Sequence, residues 1–191
     1  MSLFSWFNTP AATDAIQLLT HDHDTFKDLL SQINDTTERA RAKRKRLFDA
    51  LRTLLIAHEL IEERILYPAL EKHAKAKDIV LEGYQEHHVA DLLLAELRTL
   101  PVTSPDWGPK VHVMGEGIEH HLKEEERKMF PKARSILSVP DLMKLGTRMA
   151  KRRGTLLAKH AKSKAEASGG GRKAPARTAP ARKAAARAAK R

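Results

Sequence analysis

The 191-residue chain has no cysteine, which excludes a disulfide framework, a thiolate metal site and a cysteine nucleophile; His, Asp and Glu remain as metal-binding side chains, with ten His available. It is long enough for one domain with a real core plus appendages, and no stretch approaches the roughly 20 apolar residues of a membrane span. The net charge of +11 is unevenly placed: residues 172–191 hold eight Lys/Arg and no acid, and residues 151–171 hold six and one acid, which leaves residues 1–150 at −2.

The first twelve residues are an apolar extension. Met1 to Phe7 is short and carries no basic residues, so it does not read as a secretory signal and the chain is expected to be cytoplasmic. Phe4, Trp6 and Phe7 are expected to fold back over one end of the domain. Residues 13–168 then read as helices, with no alternating strand pattern. The first helix is predicted over Thr13–Ile33, with a core stripe of Ile16, Leu19, His23, Phe26, Leu30 and Ile33. The second starts near Thr37, carries Leu47, Leu51, Leu54, His58, Ile61 and Ile65, and is interrupted by Pro68. The cations between Arg39 and Arg46 read as a solvated face. The third helix, Lys77 to Leu100, presents Val80, Gly83, His87, Ala90, Leu94 and Leu97. Ser104-Pro105-Asp106 is expected to cap the fourth, with Pro in its first turn; it carries Trp107, Val111, Met114, Ile118, His121 and Glu125 until Pro131. A fifth opens at Ser138-Val-Pro140 and runs to about Ala167. These elements predict an all-α fold, an up-down-up-down four-helix bundle with a fifth C-terminal helix. Residues 169–191, Gly169-Gly170-Gly171 and the Ala/Pro/Lys/Arg tail, hold no apolar residue larger than Ala and are expected to be disordered on their own.

One pattern occurs twice. His58-x3-Glu62-Glu63-Arg64 with Tyr67-Pro68 is matched by His121-x3-Glu125-Glu126-Arg127 with Phe130-Pro131. Four residues apart on a helix, each His and the first Glu share a face. The lone histidines repeat as well: Asp22-His23 precedes His58, and Glu86-His87 precedes His121 at nearly the same distance. Singly, each of these histidines reads best as a buried ring satisfied by a carbonyl; four on the core stripes of four helices do not. Carboxylates in the same band cost several kcal/mol unless paired or metal-bound, and no Lys or Arg lies on the four stripes near that level. Four His and two Glu exceed the needs of one tetrahedral zinc. They suit two carboxylate-bridged ions, with iron the best match to imidazole and carboxylate and manganese or zinc as fallbacks. Two irons would keep positions for an oxo or hydroxo bridge and a small ligand such as O2, NO or peroxide. Glu63 and Glu126 are candidates for holding an imidazole N–H. His21, His73, His88, His112, His120 and His160 read as surface or supporting residues, with His120 a possible exchange for His121.

With these motifs, residues 14–155 resemble a hemerythrin-like HHE cation-binding domain. The resemblance implies a non-haem di-iron centre in a four-helix bundle, with His23, His58, Glu62, His87, His121 and Glu125 as ligands and the two Glu bridging. It also exposes a departure. Oxygen-carrying hemerythrins have a further His one turn before the third-helix ligand, where this chain has Gly83, and His-x4-Asp where it has His-x3-Glu. The resemblance therefore favours sensing or detoxifying O2, NO or peroxide, or iron handling, over reversible O2 transport. Gly83 is expected to leave room beside one iron, room that a His at 83 could fill.

Two other readings compete. A peroxide-consuming or iron-donating enzyme could use the same site. Alternatively, the metal is structural, and Arg172, Lys173, Arg177, Arg182, Lys183, Arg187, Lys190 and Arg191 bind DNA phosphates without sequence preference, placing the protein at the nucleoid; a solubilising tail weighs equally.

Overall fold

A computed structural model describes residues 6–7 and 14–169. Among them there is no strand; the chain is an all-helical bundle with a C-terminal helix. We number the helices α1, Ala15–Asn34; α2, Arg41–Ile61, carried on through a π turn at Glu62–Leu66 into Tyr67–Leu70; α3, Lys77–Thr99; α4, Trp107–Glu124, carried on through a π turn at Glu125–Met129 into Phe130–Ile136; and α5, Val139–Gly169. Among the described residues no helix is long and apolar enough to cross a membrane. The tail cations from Arg172 to Arg191, and Phe4, lie outside the described residues.

Local chemistry sets the ends. Asp14 caps α1 in a reciprocal box: its Oδ1 accepts from Gln17 N at 2.9 Å and Gln17 Oε1 accepts from Asp14 N at 3.2 Å. The second helix begins at Arg41 rather than near Thr37, because Thr36 is engaged elsewhere. Its hydroxyl turns back to Ile33 O at 2.6 Å, and the buried Arg44 donates to Thr36 Oγ1 at 3.0 Å, Thr36 O at 3.1 Å and Val102 O at 3.0 Å. Arg44 also stacks over the Trp107 ring at 5.0 Å. One cation of the Arg39–Arg46 run is thus an internal clasp between two loops, not part of a solvated face. The Asp106 side chain does not cap α4, and Pro105 precedes the helix; the Trp107 N–H donates instead to Ser104 O at 3.1 Å.

Pro68 and Pro131 do not stop their helices, contrary to the sequence expectation. In each case a π turn widens the helix just before the proline, with Tyr67 N–H bonded to Glu62 O and Phe130 N–H to Glu125 O. The ring then falls in the first turn of a fresh α segment, where a missing N–H leaves nothing unpaired.

Apolar residues pack in two clusters on either side of the histidine level. One gathers Phe26, Leu30, Leu47, Leu51, Leu54, Trp107, Val111 and Met114, with Trp6 buried against it and bonded to Asp28 Oδ2 at 3.2 Å. The other gathers Ile16, Leu19, Ile65, Tyr67, Val80 and Phe130 with Leu142, Leu145 and Met149 of α5. The C-terminal helix therefore lies along α1 and α2.

Replacing Arg44 by Met removes three hydrogen bonds, two of them buried, and leaves the Thr36 and Val102 carbonyls without that donor. Unfolding free energy is expected to fall by roughly 2–4 kcal/mol, read as a lower urea midpoint at unchanged slope. Arg44→Lys recovers less than half, because one ammonium cannot span both carbonyls.

Candidate metal centre

The six side chains singled out by the repeat meet between the two apolar clusters, all buried. His58 Nε2 is 3.3 Å and His87 Nε2 3.4 Å from Glu62 Oε2; His23 Nε2 is 3.2 Å and His121 Nε2 3.6 Å from Glu125 Oε2. Each carboxylate thus faces two imidazoles. Among the described residues, His23, His58, Glu62 and Glu125 form one group able to hold a cation, and Glu62, His87 and His121 a second, with donor atoms within 4.8 Å of one another in each.

All four rings present Nε2 to the centre, because each Nδ1 faces a carboxylate from a neighbouring helix. Glu126 Oε1 lies 3.0 Å from His23, Asp22 Oδ2 3.5 Å from His58, Glu63 Oε1 3.2 Å from His87 and Glu86 Oε2 2.7 Å from His121. These contacts run in a closed ring: α1 serves α2, α2 serves α3, α3 serves α4 and α4 serves α1. Such partners fix the ring orientation and raise the basicity of the inward nitrogen. Sequence reasoning named Glu63 and Glu126 for this role but not Asp22 and Glu86. The signal was there, an acid immediately before each lone histidine, but each of these acids serves the histidine of the next helix.

The aromatic at the same offset in each copy also repeats its role. Phe130 stacks on His23 with centroids 5.3 Å apart, and Tyr67 on His87 at 5.5 Å. Tyr67 adds a hydroxyl, donating to Glu125 Oε1 at 3.1 Å and lying 3.3 Å from His87 Nε2. Burial, with the nearby Glu125 and Glu62 carboxylates, holds the phenol well above its ordinary pKa, so it keeps its proton. A Cβ built on Gly83 would stand 2.6 Å from Tyr67 Oη. The room expected beside Gly83 is filled by Tyr67, and a histidine at 83 would have to displace that phenol.

Electrostatics at the centre are those of buried carboxylates crowded by imidazoles. Burial and the Glu125 charge push Glu62 well above the usual carboxylate range. Burial opposes ionisation of Glu125 too, but the imidazoles of His121, His23 and His58 drive it below that range. Both oxygens of Glu62, Glu125 Oε2, His23 Nε2 and both ring nitrogens of His58 are buried without a hydrogen-bond partner. Orphaned polar atoms of this kind are rare in folded proteins unless something else satisfies them. Their convergence, and the acceptor chemistry of carboxylate and neutral imidazole, fit a cation.

The two sides of the centre differ. On the α1–α2 side, Arg153 of α5, 1% exposed, grips Asp22 through Nε at 3.0 Å and an Nη at 2.8 Å. No cation was expected at this level from the four core stripes; it enters from the fifth helix. On the α3–α4 side, a groove of about 300 Å³ lined by Leu55, Ala90, Leu93, Met114 and Ile118 reaches His87 and His121. Glu59, 5% exposed, lies on its wall, its carboxyl pushed up to about 8 by burial. Sequence reading passed over Glu59. The clue was a break in the repeat, since the second copy has Leu122 at that offset. Of the remaining histidines, His73, His88, His112 and His120 are exposed and His21 and His160 half-buried; His121, not His120, turns inward.

The hemerythrin HHE cation binding domain matches residues 14–133 of this sequence. The chain belongs to that family. It is also similar to the crystal structure of a hemerythrin HHE cation binding domain-containing protein from Mycobacterium kansasii, with 26% identity and a TM-score of 0.71 over 79% of this chain and 91% of that one. No curated protein matches it. As a hemerythrin HHE domain, the chain carries at its centre a His/Glu cluster that could hold a metal.

Arg153→Met leaves the Asp22 carboxylate buried and uncompensated, and is expected to cost roughly 3–5 kcal/mol. Asp22→Asn combined with Arg153→Met should cost less than the sum of the single changes, a coupling read from urea unfolding of the four proteins. The pH dependence of the metal-free protein follows from His58, which burial holds down at about 4 against 6.5 for a free ring. Between those values the unfolded chain binds the extra proton, so stability rises with pH there, and this contribution, about 3 kcal/mol, is lost as the pH falls from 6.5 to 4. Unfolding midpoints of the metal-free protein from pH 4 to 7 check the acid limb, and a flat profile there contradicts it.

Proposed function

We propose that this chain is a non-haem di-iron protein that binds, senses or detoxifies a small oxidant or gas, O2, NO or peroxide. His23 and His58 would hold one ion and His87 and His121 the other, with Glu62 and Glu125 between them. The observation that carries this is the pairing at the centre: each carboxylate lies beside one imidazole of each pair, and every imidazole has a carboxylate facing its outer nitrogen. A structural zinc needs four ligands and leaves no position open. Six side chains shared by two ions do leave positions open, and the α3–α4 groove supports access for a small molecule at the His87–His121 side. Two irons in such a site would supply electron transfer to or from the bound molecule.

The chain's own residues set the conditions for that chemistry. Tyr67 holds a proton on Oη beside His87 Nε2 and Glu125 Oε1, a hydrogen-bond donor next to the open side. Leu55, Leu93, Met114 and Ile118 make the approach apolar, which suits uncharged O2, NO and hydrogen peroxide over charged solutes. The α1–α2 side, closed by Arg153 and the α5 stripe, offers no such path among the described residues. Glu59, on the groove wall, supports proton exchange along the same route, which favours the enzymatic variant of this reading, consumption of peroxide, over simple storage of iron.

Metal analysis of the purified protein is expected to give two irons per chain and a visible absorption band. His58→Ala and Glu125→Gln should each bind at most one, with 10-fold or greater loss of affinity. One zinc per chain and no colour would overturn the reading. Peroxide turnover by the iron form, set against reversible binding without turnover, separates the enzymatic from the sensing variant.

A further inference from the structure

Arg153 aside, the charge on α5 is not used by the metal centre. Its eight Lys/Arg are set against two acids, while the helical stretches of α3 and of α4 up to Met129 together hold six Lys/Arg and ten acids. At 100° per residue, Lys144, Arg148, Lys151, Thr155, Lys159 and Lys162 fall within an arc of about 80°, and all six are exposed. The apolar stripe of Leu142, Leu145 and Met149 faces the bundle instead. Arg148, Lys151 and Arg152 line a shallow groove of about 690 Å³, and Arg64, presented by the π turn of α2, completes it from the other wall. Lys144 pairs with Asp141 and Lys164 with Asp49, but among the described residues no carboxylate lies within 4.0 Å of Arg64, Arg148, Lys151, Arg152 or Lys159.

A rigid helix that holds like charges along one face with little counter-charge gains most from a partner of uniform negative charge. The stripe from Lys144 to Lys162 spans about 27 Å, comparable to about eight phosphates of one duplex strand at roughly 3.4 Å each. No aromatic side chain lies among these residues, so a base-stacking platform is not present. The sequence then continues from α5 into residues 172–191, with eight further cations and no acid. We propose that the outer face of α5, with Arg64, is a docking surface for the phosphate backbone of duplex DNA, binding without sequence preference and independently of what the centre holds.

The test uses the full-length chain and a labelled duplex of about 25 bp over a salt series. Wild type should bind at about 50 mM salt, with affinity falling steeply as salt rises. Arg148→Gln, Lys151→Gln and Arg152→Gln together should weaken binding at least 10-fold there and flatten the log–log salt slope by roughly 2–3, near 0.9 per lost phosphate contact. All three residues are exposed, so the melting temperature should not move. A second full-length variant, with Arg177, Arg182 and Arg187 each changed to Gln, should still bind and keep the share of the slope that the α5 triple removes. Three results would overturn the proposal: no binding by wild type at that salt, an unchanged slope in the α5 triple, or poly-glutamate competing as well as duplex at equal charge.

Discussion

Burying two carboxylates among four imidazoles is the constraint to which the rest of this fold conforms. Glu62 and Glu125 sit where solvent cannot reach, and an uncompensated charge there would cost several kcal/mol, a large part of a domain's net stability. Everything near them balances that charge. Imidazoles crowd the carboxylates from within, and carboxylates hold the imidazoles from without. The apolar clusters lie above and below this polar layer, so packing supplies the stability that the layer itself does not.

The closed ring of carboxylate-to-histidine contacts couples the helices in a way that apolar packing alone does not. Each helix supplies one imidazole and one carboxylate, and each carboxylate serves the adjoining helix, so turning any helix about its axis breaks two contacts at once. The π turns belong to the same design. They begin at Glu62 and Glu125, the two central carboxylates, and insert one extra residue per turn where the helix must deliver a ligand-type side chain inward and its neighbour outward to the next ring. Pro68 and Pro131 follow directly, at positions where the register has just been reset.

Duplication would make the two halves alike, yet the centre has one closed side and one open. On the first side α5 covers α1 and α2 and inserts Arg153 onto Asp22; on the second, the corresponding groove between α3 and α4 has no covering helix among the described residues and leads to His87 and His121. Tyr67 in place of a phenylalanine, and Glu59 in place of a leucine, add proton-bearing groups to the open side only. A symmetric scaffold has in this way acquired a direction. The fifth helix contributes twice, closing one side from within and carrying the basic stripe on its outer face.

Much of this could be read from residue order, because helical spacing is a local property. The 3-4 alternation around His23, His58, His87 and His121, and the repeat of His-x3-Glu-Glu, determined an all-helical bundle with those histidines on its inner faces and Glu62 and Glu125 beside them. What the chain could not reveal by itself were contacts made across long separations. That Asp22 serves His58 rather than its neighbour, that Arg153 enters 131 positions later to pair with Asp22, that Arg44 clasps Val102, and that Tyr67 fills the space above Gly83 are decided by how the helices rotate and dock. The prolines misled for a related reason: a local rule ends the helix, but a widened turn satisfies the backbone at little cost once tertiary packing holds both segments in line. Spacing along one helix decides which face a residue occupies; only the packed bundle decides what that face meets.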